Sequence, residues 1–382
     1  MPYEPVEAPI PSPEAFRLED DAATLSAAAA LLVLGYRLRG DDQALRARAS
    51  DAFGDRGDIA ATALPEEDAA ALAIPPLRAS GERIDPTEAR SQFEDAGLGP
   101  EFPAGPRREV IASVAERFHA EPTHPRAAEL LDASLDHPEE LVRASAASSY
   151  LDLTADPRRP LGVLREALGS EDDLTRHVAA TSLARFMPED ESLARLLLRG
   201  RPPEGGVPST TCILVHGTFA QDSEWWQPGG DFHDYFEAQV RTDLYSANDR
   251  FSWSGGYTDA ARAAGGVELR DWVTVHQLNG LDVFAHSHGG SVAMLATHGG
   301  VDIGELVLLS CPVHIPKYLP RFAGVGRIVS IRVRLDLVIL ADRGGQRFDL
   351  PEIEEHVLPI WFDHFASHER SVWLRYNVPQ WL

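Results

Sequence analysis

Residues 281–290 read LDVFAHSHGG, an apolar run of strand length followed by a serine between two histidines and then by two glycines. This order resembles the GxSxG nucleophile-elbow pattern, in which a buried strand turns sharply into a helix and presents a serine hydroxyl at the end of a sheet. Small residues are needed there because the serine backbone is strained and the strand and helix approach closely. Gly289 keeps the second small position, whereas Ala285 replaces the first glycine. The stretch predicts a sheet with Ser287 at its edge.

The chain after residue 210 alternates short apolar runs with helical stretches. Such alternation predicts an α/β fold, a mostly parallel sheet flanked by helices, with functional residues just after each strand. We expect helices near 231–241, 258–277 and 288–298. The expected strands are TTCILVHGT, LYS at 244–246, LDVFAHS, ELVLLSC, RIVSIRVRLD and HVLPIWFD.

The first 200 residues are predicted to be all-α after a proline-rich arm, with helices around 14–38 and 108–120. Residues 131–199 contain a repeat with a period of 33, which indicates stacked helical pairs and resembles HEAT repeats. The helices could form a binding or gating surface, or support a catalytic domain. The repeated positions are Leu131, Leu135, Leu141, Arg143, Ala146, Ala147 and Ser149, matched by Leu164, Leu168, Leu174, Arg176, Ala179, Ala180 and Ser182.

These patterns predict four segments. Residues 1–105 form an N-terminal helical region, and 106–200 form the HEAT-like repeats. Proline and glycine fill half of GRPPEGGVPS, so 201–210 is expected to be a linker. The catalytic domain is expected to span 211–382.

The charge balance restricts the possible partners. A formal net charge of -24, from 59 acidic against 35 basic residues, argues against nucleic acid and anionic membrane surfaces. Two cysteines favour a reducing compartment over a disulfide framework. The apolar run at 22–35 is short for a membrane span and is expected to be a buried helix. We therefore expect a cytoplasmic protein without a transmembrane segment.

The run ending at His216 is followed by Gly217, Thr218 and Phe219. A loop of this kind after a strand can direct backbone N–H groups at a developing negative charge. The expected oxyanion donors are the N–H groups of Thr218 and of His288, the residue after the serine. The alternative is that His-Gly only closes a turn.

With HG after one strand and HSHGG after another, residues 209–382 resemble the α/β-hydrolase superfamily, particularly its small lipase-like and esterase-like members. HGTFAQDSEWW and FSWSGGYTDAAR are also similar to sequences of bacterial hydrolases. Minimal lipases of the superfamily carry alanine at the first elbow position, as Ala285 does here. The resemblance implies the chain order nucleophile, acid, histidine.

The resemblance places the acid after the penultimate strand, where Asp336 ends RIVSIRVRLD and Leu337 and Val338 follow. Asp342, in the predicted loop ADRGG, is the competitor. The histidine should follow the last strand. The resemblance selects His364, which lies nine residues before Trp373 as in similar hydrolases. His368 is the alternative, and His356, expected before that strand, is taken as structural.

The implied activity is that of a serine hydrolase that cleaves an acyl ester or lipid-like substrate through an acyl-enzyme, without metal or cofactor. The histidines flanking Ser287 are expected to diverge rather than share a metal. Alternatives are a thioesterase or peptidase on the same triad, or a helical-repeat protein that binds another protein and whose hydrolase module is regulatory. Aromatic residues near the strand ends either line an acyl pocket or pack helices onto the sheet: Phe219, Trp225, Trp226, Phe251 and Trp253.

Overall fold

The computed structural model describes residues 3–41, 64–77, 104–153, 157–197, 212–278 and 280–382. The chain divides into two compact units. The helical unit comprises Met1–Met187, Leu340–Gly344 and Ile360–Asp363, and the sheet unit comprises Pro188–Ile339, Gly345–Pro359 and His364–Leu382. The predicted linker at 201–210 lies outside the described residues.

The helical unit begins with a short arm, in which Val6 forms an isolated antiparallel bridge with Trp361. Its apolar residues recur at helical spacing, and the helices bury them against one another. A 3-10 turn covers Glu14–Phe16. The helices of this unit are α1 (Asp21–Asp41), α2 (Glu66–Ala71), α3 (Ala104–Ala120), α4 (His124–Ser134), α5 (Glu140–Leu151), α6 (Arg158–Ala167) and α7 (Asp173–Phe186).

The first helix is the buried helix that the sequence predicts. Residues 27–34 of α1 are each at most 2% exposed. Asp21–Leu38 is nevertheless long and apolar enough to cross a membrane by length and composition, so the expectation that this run is too short was wrong. Because 78% of that stretch is buried inside the protein, it has the character of a core helix.

The 33-residue repeat corresponds to two helical hairpins, α4–α5 and α6–α7. One contact recurs at the same offset: Arg143 Nη1 donates to the carbonyl of His137 at 2.8 Å, and Arg176 Nη1 donates to the carbonyl of Ser170 at 2.5 Å. Each arginine thus hydrogen-bonds the turn that precedes its own helix. The repeat therefore preserves the hydrogen bond from each arginine to the turn before its helix, as well as the apolar positions.

A cluster of charged side chains is buried within the helical unit. Arg343 is 1% exposed and donates to Asp152 Oδ2 through Nε and Nη2, at 3.0 and 2.7 Å. Arg185 Nη1 donates to the other carboxylate oxygen of Asp152 at 2.7 Å. Arg343 also donates to Ser149 Oγ and to the carbonyl of Leu32. One carboxylate therefore compensates two buried cations.

The sheet unit contains the predicted α/β alternation, and the strands follow one another in the order β1-β2-β3-β4-β5. The pairs β1–β2, β2–β3 and β3–β4 are parallel. The expected strand at 244–246 is reduced to an isolated parallel bridge between Leu244 and Cys212. The strands are β1 (Cys212–Val215), β2 (Leu281–His286), β3 (Ile303–Leu309), β4 (Val325–Arg334) and β5 (Glu354–Trp361).

Helices connect these strands, and 3-10 turns cover Glu224–Trp226, Phe322–Gly324, Ala366–His368 and Val378–Trp381. Both cysteines, Cys212 and Cys311, are buried free thiols. The remaining helices are α8 (Glu191–Ala194), α9 (Asp231–Gln239), α10 (Asp259–Val275), α11 (Gly289–His298), α12 (Leu337–Asp342) and α13 (Arg370–Arg375).

The register aligns the carboxyl ends of the central strands. Val215 pairs with Ala285, His286 with Leu309, and Leu309 with Ile331. Residues with positive φ follow these ends, namely Phe219, Ser287, Ser310 and Leu335. Because left-handed backbone is unfavourable for residues other than glycine, this clustering marks the edge of the sheet where a site is expected.

Candidate active site

Ser287 lies where β2 turns into α11, and its φ is 52°. Its N–H donates to the carbonyl of Leu309 at 2.8 Å, which fixes the strained turn to β3. A Cβ on Gly289 would lie 2.5 Å from the carbonyl oxygen of His216, so only glycine lets α11 start this close to the strand beside it. The local geometry is therefore that of the predicted strand-turn-helix.

A second close approach brings the His-Gly-Thr loop to the serine. A Cβ on Gly217 would lie 2.8 Å from Ser287 Cβ. Glycine is therefore required in this loop for steric reasons, even though its own φ is not left-handed. Ser287 and the loop after β1 form one contiguous cluster.

Asp336 and His364 form a buried hydrogen-bonded pair. His364 Nδ1 lies 2.7 Å from Asp336 Oδ2, and the two side chains are 1% and 0% exposed. Asp336 Oδ1 accepts the N–H groups of Val338 and Ile339 at 2.9 and 3.1 Å. One carboxylate therefore caps the start of α12 and orients an imidazole, and both of its oxygens are satisfied.

The backbone of Asp336 is also held in place by hydrogen bonds. Its N–H donates to Gln346 Oε1 at 3.1 Å, and its carbonyl accepts from Gln346 Nε2 at 3.2 Å. Leu335, the preceding residue, has a φ of 47°. This double hydrogen bond holds the carboxylate at the end of β4 despite the strained backbone beside it.

The other candidates are not part of the Asp336–His364 pair. Asp342 ends α12 and is not in a loop, because the helix capped by Asp336 continues to it. His356 lies inside β5, not before it, and its Nε2 is 2.8 Å from Glu354 Oε1. His368 ends a 3-10 turn and stacks on Trp225, with ring centroids 4.4 Å apart. The carboxylate of Asp336 hydrogen-bonds His364 and no other histidine of the described chain.

His286 connects the elbow with the loop that carries His364. Its Nε2 lies 3.3 Å from the carbonyl oxygen of His364, and because a carbonyl only accepts, Nε2 carries the proton. The ring centroids of His286 and His364 are 4.5 Å apart. The residue directly before Ser287 thus contacts the residue paired with Asp336.

Thr218 has two donors available near the serine. Across the described part of the chain, no group accepts the Thr218 N–H, and its Oγ1 is buried without a hydrogen-bond partner. The neighbouring N–H of Phe219 is used, donating to the carbonyl of Gly255 at 3.0 Å. Because buried donors are ordinarily satisfied, this exception at the predicted oxyanion position is consistent with a site that receives an acceptor from a ligand.

The two histidines around Ser287 have different neighbours. His286 packs near His364 and His368, whereas Arg262 Nη2 lies 3.0 Å from His288 Nε2. A guanidinium only donates, so His288 Nε2 is an acceptor and its ring is neutral. The two imidazoles therefore have different hydrogen-bond partners.

The aromatic candidates divide into two groups. Trp226, Phe251 and Trp253 are at most 3% exposed and pack the core. Phe219 and Trp225 are half-buried and are the members that a substrate could reach. Trp373 is fully buried and its indole N–H donates to the carbonyl of Ser367 at 2.8 Å, so it secures the turn after His364.

The sequence assigned no role to Arg262 or Ser252 and offered Trp253 only as a pocket or packing residue, although the segment FSWSGGYTDAAR stood out. Ser252 Oγ lies 3.1 Å from His216 Nε2, and Trp253 Nε1 donates to the carbonyl of His216 at 2.8 Å. The recurrence of polar residues in FSWSGG near a strand end was the available signal. Arg262, on α10, had no signal beyond its helical position.

No protein-family model and no curated protein matches this chain. Among solved structures, it is similar to an uncharacterized protein from Bacillus cereus at 13% identity, over 77% of this chain and 96% of the other. The TM-score of that match is 0.26, which carries no argument about fold or function.

Proposed function

We propose that this protein is a serine hydrolase that cleaves an ester through an acyl-enzyme intermediate on Ser287. The observation that carries the proposal is the buried Asp336–His364 pair, at 2.7 Å, which is contacted by His286, the residue before a serine held in a strained strand-to-helix turn. A positive φ is costly for serine, and such strain concentrates at functional sites.

In the proposed reaction, His364 removes the proton of Ser287 as the hydroxyl attacks the carbonyl carbon of the ester. Asp336 occupies Nδ1 of His364, which leaves Nε2 as the nitrogen that accepts the proton. The protonated imidazole then gives this proton to the leaving alcohol. A water molecule deprotonated by the same nitrogen cleaves the acyl-enzyme and returns Ser287 to its starting state.

The negative charge on the carbonyl oxygen in the tetrahedral intermediate needs donors. The N–H groups of Thr218 and His288 are the proposed pair, and the absence of an acceptor for Thr218 N–H within the described residues supports the first of them. Losing one such donor typically costs about 3 kcal/mol in the transition state. Half-buried Trp225, which packs on His286 and His368, and Phe219, which follows Thr218, are proposed to supply apolar surface for the acyl or alcohol group.

Hydrolysis of p-nitrophenyl acetate, butyrate and octanoate by the full chain tests the proposal. We expect turnover by the wild type and its loss in Ser287→Ala. Ser371→Ala, which changes an exposed serine on α13, is the matched control and should hydrolyse the esters as the wild type does. Absence of turnover in a folded wild type, or equal turnover in Ser287→Ala, would contradict the assignment.

The proposal extends to the type of fold. The strand order and the elbow support an α/β-hydrolase type for the sheet unit, and the recurring Arg143 and Arg176 contacts support HEAT-like pairs in the helical unit. A thioesterase or peptidase would use the same residues, because one triad serves many acyl substrates. A thioester and a peptide substrate added to the ester panel separate these activities.

A further inference from the structure

The loop His216–Phe219, here called the oxyanion loop, is held by the neighbouring segment Ser252–Gly255. Three hydrogen bonds join them: Ser252 Oγ to His216 Nε2 at 3.1 Å, Trp253 Nε1 to the carbonyl of His216 at 2.8 Å, and Phe219 N to the carbonyl of Gly255 at 3.0 Å. A fourth lies within the loop, between His216 Nδ1 and the carbonyl of Gly217 at 2.8 Å. Every residue around Thr218 is thereby fixed.

The directions of these hydrogen bonds follow from the chemistry of the groups. The Gly217 carbonyl can only accept, so His216 Nδ1 carries the proton and Nε2 accepts from the Ser252 hydroxyl. Burial lowers the pKa of His216 to about 4, so the ring is neutral near pH 7. A neutral ring with this single tautomer holds the loop in one conformation.

The rings around His216 add rigidity. Trp253 is 2% exposed and stacks on His216, with centroids 5.8 Å apart and planes 15° apart. Trp226 packs nearby, at 4.8 Å between ring centroids. The imidazole is therefore enclosed by two indoles, and its position depends on both stacking and hydrogen bonding.

The restrained atoms adjoin the proposed oxyanion donor. Gly217 lies against Ser287, and Thr218, whose N–H is the proposed oxyanion donor, follows Gly217 in the chain. Donors of this kind act only within about 2.7–3.1 Å of the oxyanion. A shift of a few tenths of an ångström in the loop would lower transition-state stabilisation without changing how the substrate ground state binds.

We infer that Ser252 and Trp253 are positioning residues, which set the Thr218 N–H for the oxyanion by holding the backbone of the oxyanion loop. This inference rests on the proposed hydrolase function. The competing interpretation is that both residues only stabilise the core, where Trp253 is a member of the buried apolar cluster. For a variant whose stability is unchanged, a positioning role predicts a lower kcat, whereas a purely structural role predicts the wild-type kcat.

Trp253→Phe keeps an aromatic ring and removes the indole N–H. Trp272→Phe is the matched control, because Trp272 Nε1 also donates to a backbone carbonyl, that of Asp249, at 2.8 Å. With p-nitrophenyl butyrate, we expect kcat of Trp253→Phe to fall about tenfold or more, with KM within about twofold because ground-state binding is kept. Trp272→Phe should retain the wild-type kcat. Equal kcat values in the two variants at matched melting temperatures would overturn the inference.

A second pair of variants decides the matter if Trp253→Phe does not fold. Ser252→Ala removes the hydroxyl donor, and Ser252→Thr restores it. We expect a reduced kcat in the first and recovery in the second, with KM unchanged. Wild-type kcat in Ser252→Ala would contradict a positioning role, since the donor to His216 Nε2 would then be dispensable.

Fluorophosphonate labelling of wild-type Ser287 keeps the two proposals distinguishable. If the wild type is labelled and hydrolyses esters while Trp253→Phe and Ser252→Ala keep full kcat, the positioning inference fails and the hydrolase proposal stands. If the folded wild type neither reacts nor hydrolyses, the hydrolase proposal fails and the inference fails with it. Labelling, hydrolysis and a selective fall in kcat would support both.

Discussion

Replacing Asp336 by asparagine should remove most of the activity while leaving the fold intact. The carboxylate has two tasks, since Oδ1 accepts the N–H groups of Val338 and Ile339, and Oδ2 faces His364 Nδ1. In Asp336→Asn, the amide oxygen must stay toward the two backbone donors. The NH2 group is then directed at His364, and this arrangement determines the outcome.

An amide NH2 facing His364 Nδ1 turns that nitrogen into an acceptor. The proton of the neutral imidazole moves to Nε2, where it blocks acceptance of the Ser287 proton, and the carboxylate that would stabilise the imidazolium is gone. Loss of both effects in a Ser-His-Asp arrangement lowers kcat by about 10³–10⁴-fold, or about 4–5.5 kcal/mol. Asparagine caps helices as well as aspartate does, so the melting temperature should change little.

The assay is steady-state hydrolysis of p-nitrophenyl butyrate, with the melting temperature measured on the same samples. Asp249→Asn is the matched control, because Asp249 Oδ2 lies 3.0 Å from His276 Nε2 in another Asp–His pair of the sheet unit. That variant should keep wild-type kcat. A loss of less than about tenfold in a folded Asp336→Asn would refute the assigned role, since the wrong tautomer alone costs far more.

Further predictions concern the histidines, the helical unit and pH. In ester hydrolysis, His364→Ala should lose at least about 10³-fold in kcat, whereas His368→Ala should stay within about tenfold, because Asp336 orients only His364. A larger loss of kcat in His368→Ala than in His364→Ala would move the role to His368. Asp152→Asn should lower the free energy of unfolding in urea by about 3–5 kcal/mol, because it leaves Arg343 and Arg185 without their carboxylate. The control is Asp173→Asn, which changes an exposed carboxylate. Equal free energies of unfolding in the two variants would contradict the prediction. Burial, with Arg108 and Arg143 nearby, lowers the pKa of His137 to about 3. The unfolded form therefore binds a proton first below about pH 6.5, and stability falls from there toward pH 3, by on the order of 5 kcal/mol. His137→Gln should flatten that decline, and an unchanged slope of unfolding free energy against pH would exclude the contribution.

The α/β alternation and the strand positions were predictable from local pattern. Buried parallel strands are almost continuously apolar, and β2 and β3 are buried along nearly their whole length. The stretch at 244–246 carried too few apolar residues to extend the sheet and forms one bridge. His356 was misplaced because strand boundaries depend on pairing partners, which a single sequence does not reveal.

The candidate site was predictable where residues adjoin strand ends. Ser287, Asp336 and His364 lie after β2, β4 and β5, and the hydrogen bond between Asp336 and His364 fits the order that the resemblance implied. The spacing to Trp373 favoured His364 over His368, and Asp336 hydrogen-bonds His364; the spacing alone did not show that contact, because both histidines follow β5. The supports from Ser252 and Trp253 were not predictable, since they depend on contacts across 36 and 37 residues.

Covalent labelling of the serine shows directly whether Ser287 is the nucleophile. The full chain is treated with a fluorophosphonate, and the adduct is located by mass spectrometry of the peptide that contains residues 281–290. We expect stoichiometric modification of Ser287, which is abolished in Ser287→Ala and greatly slowed in His364→Ala. A folded wild-type protein that stays unmodified, or one modified on another serine while Ser287 remains free, would contradict it.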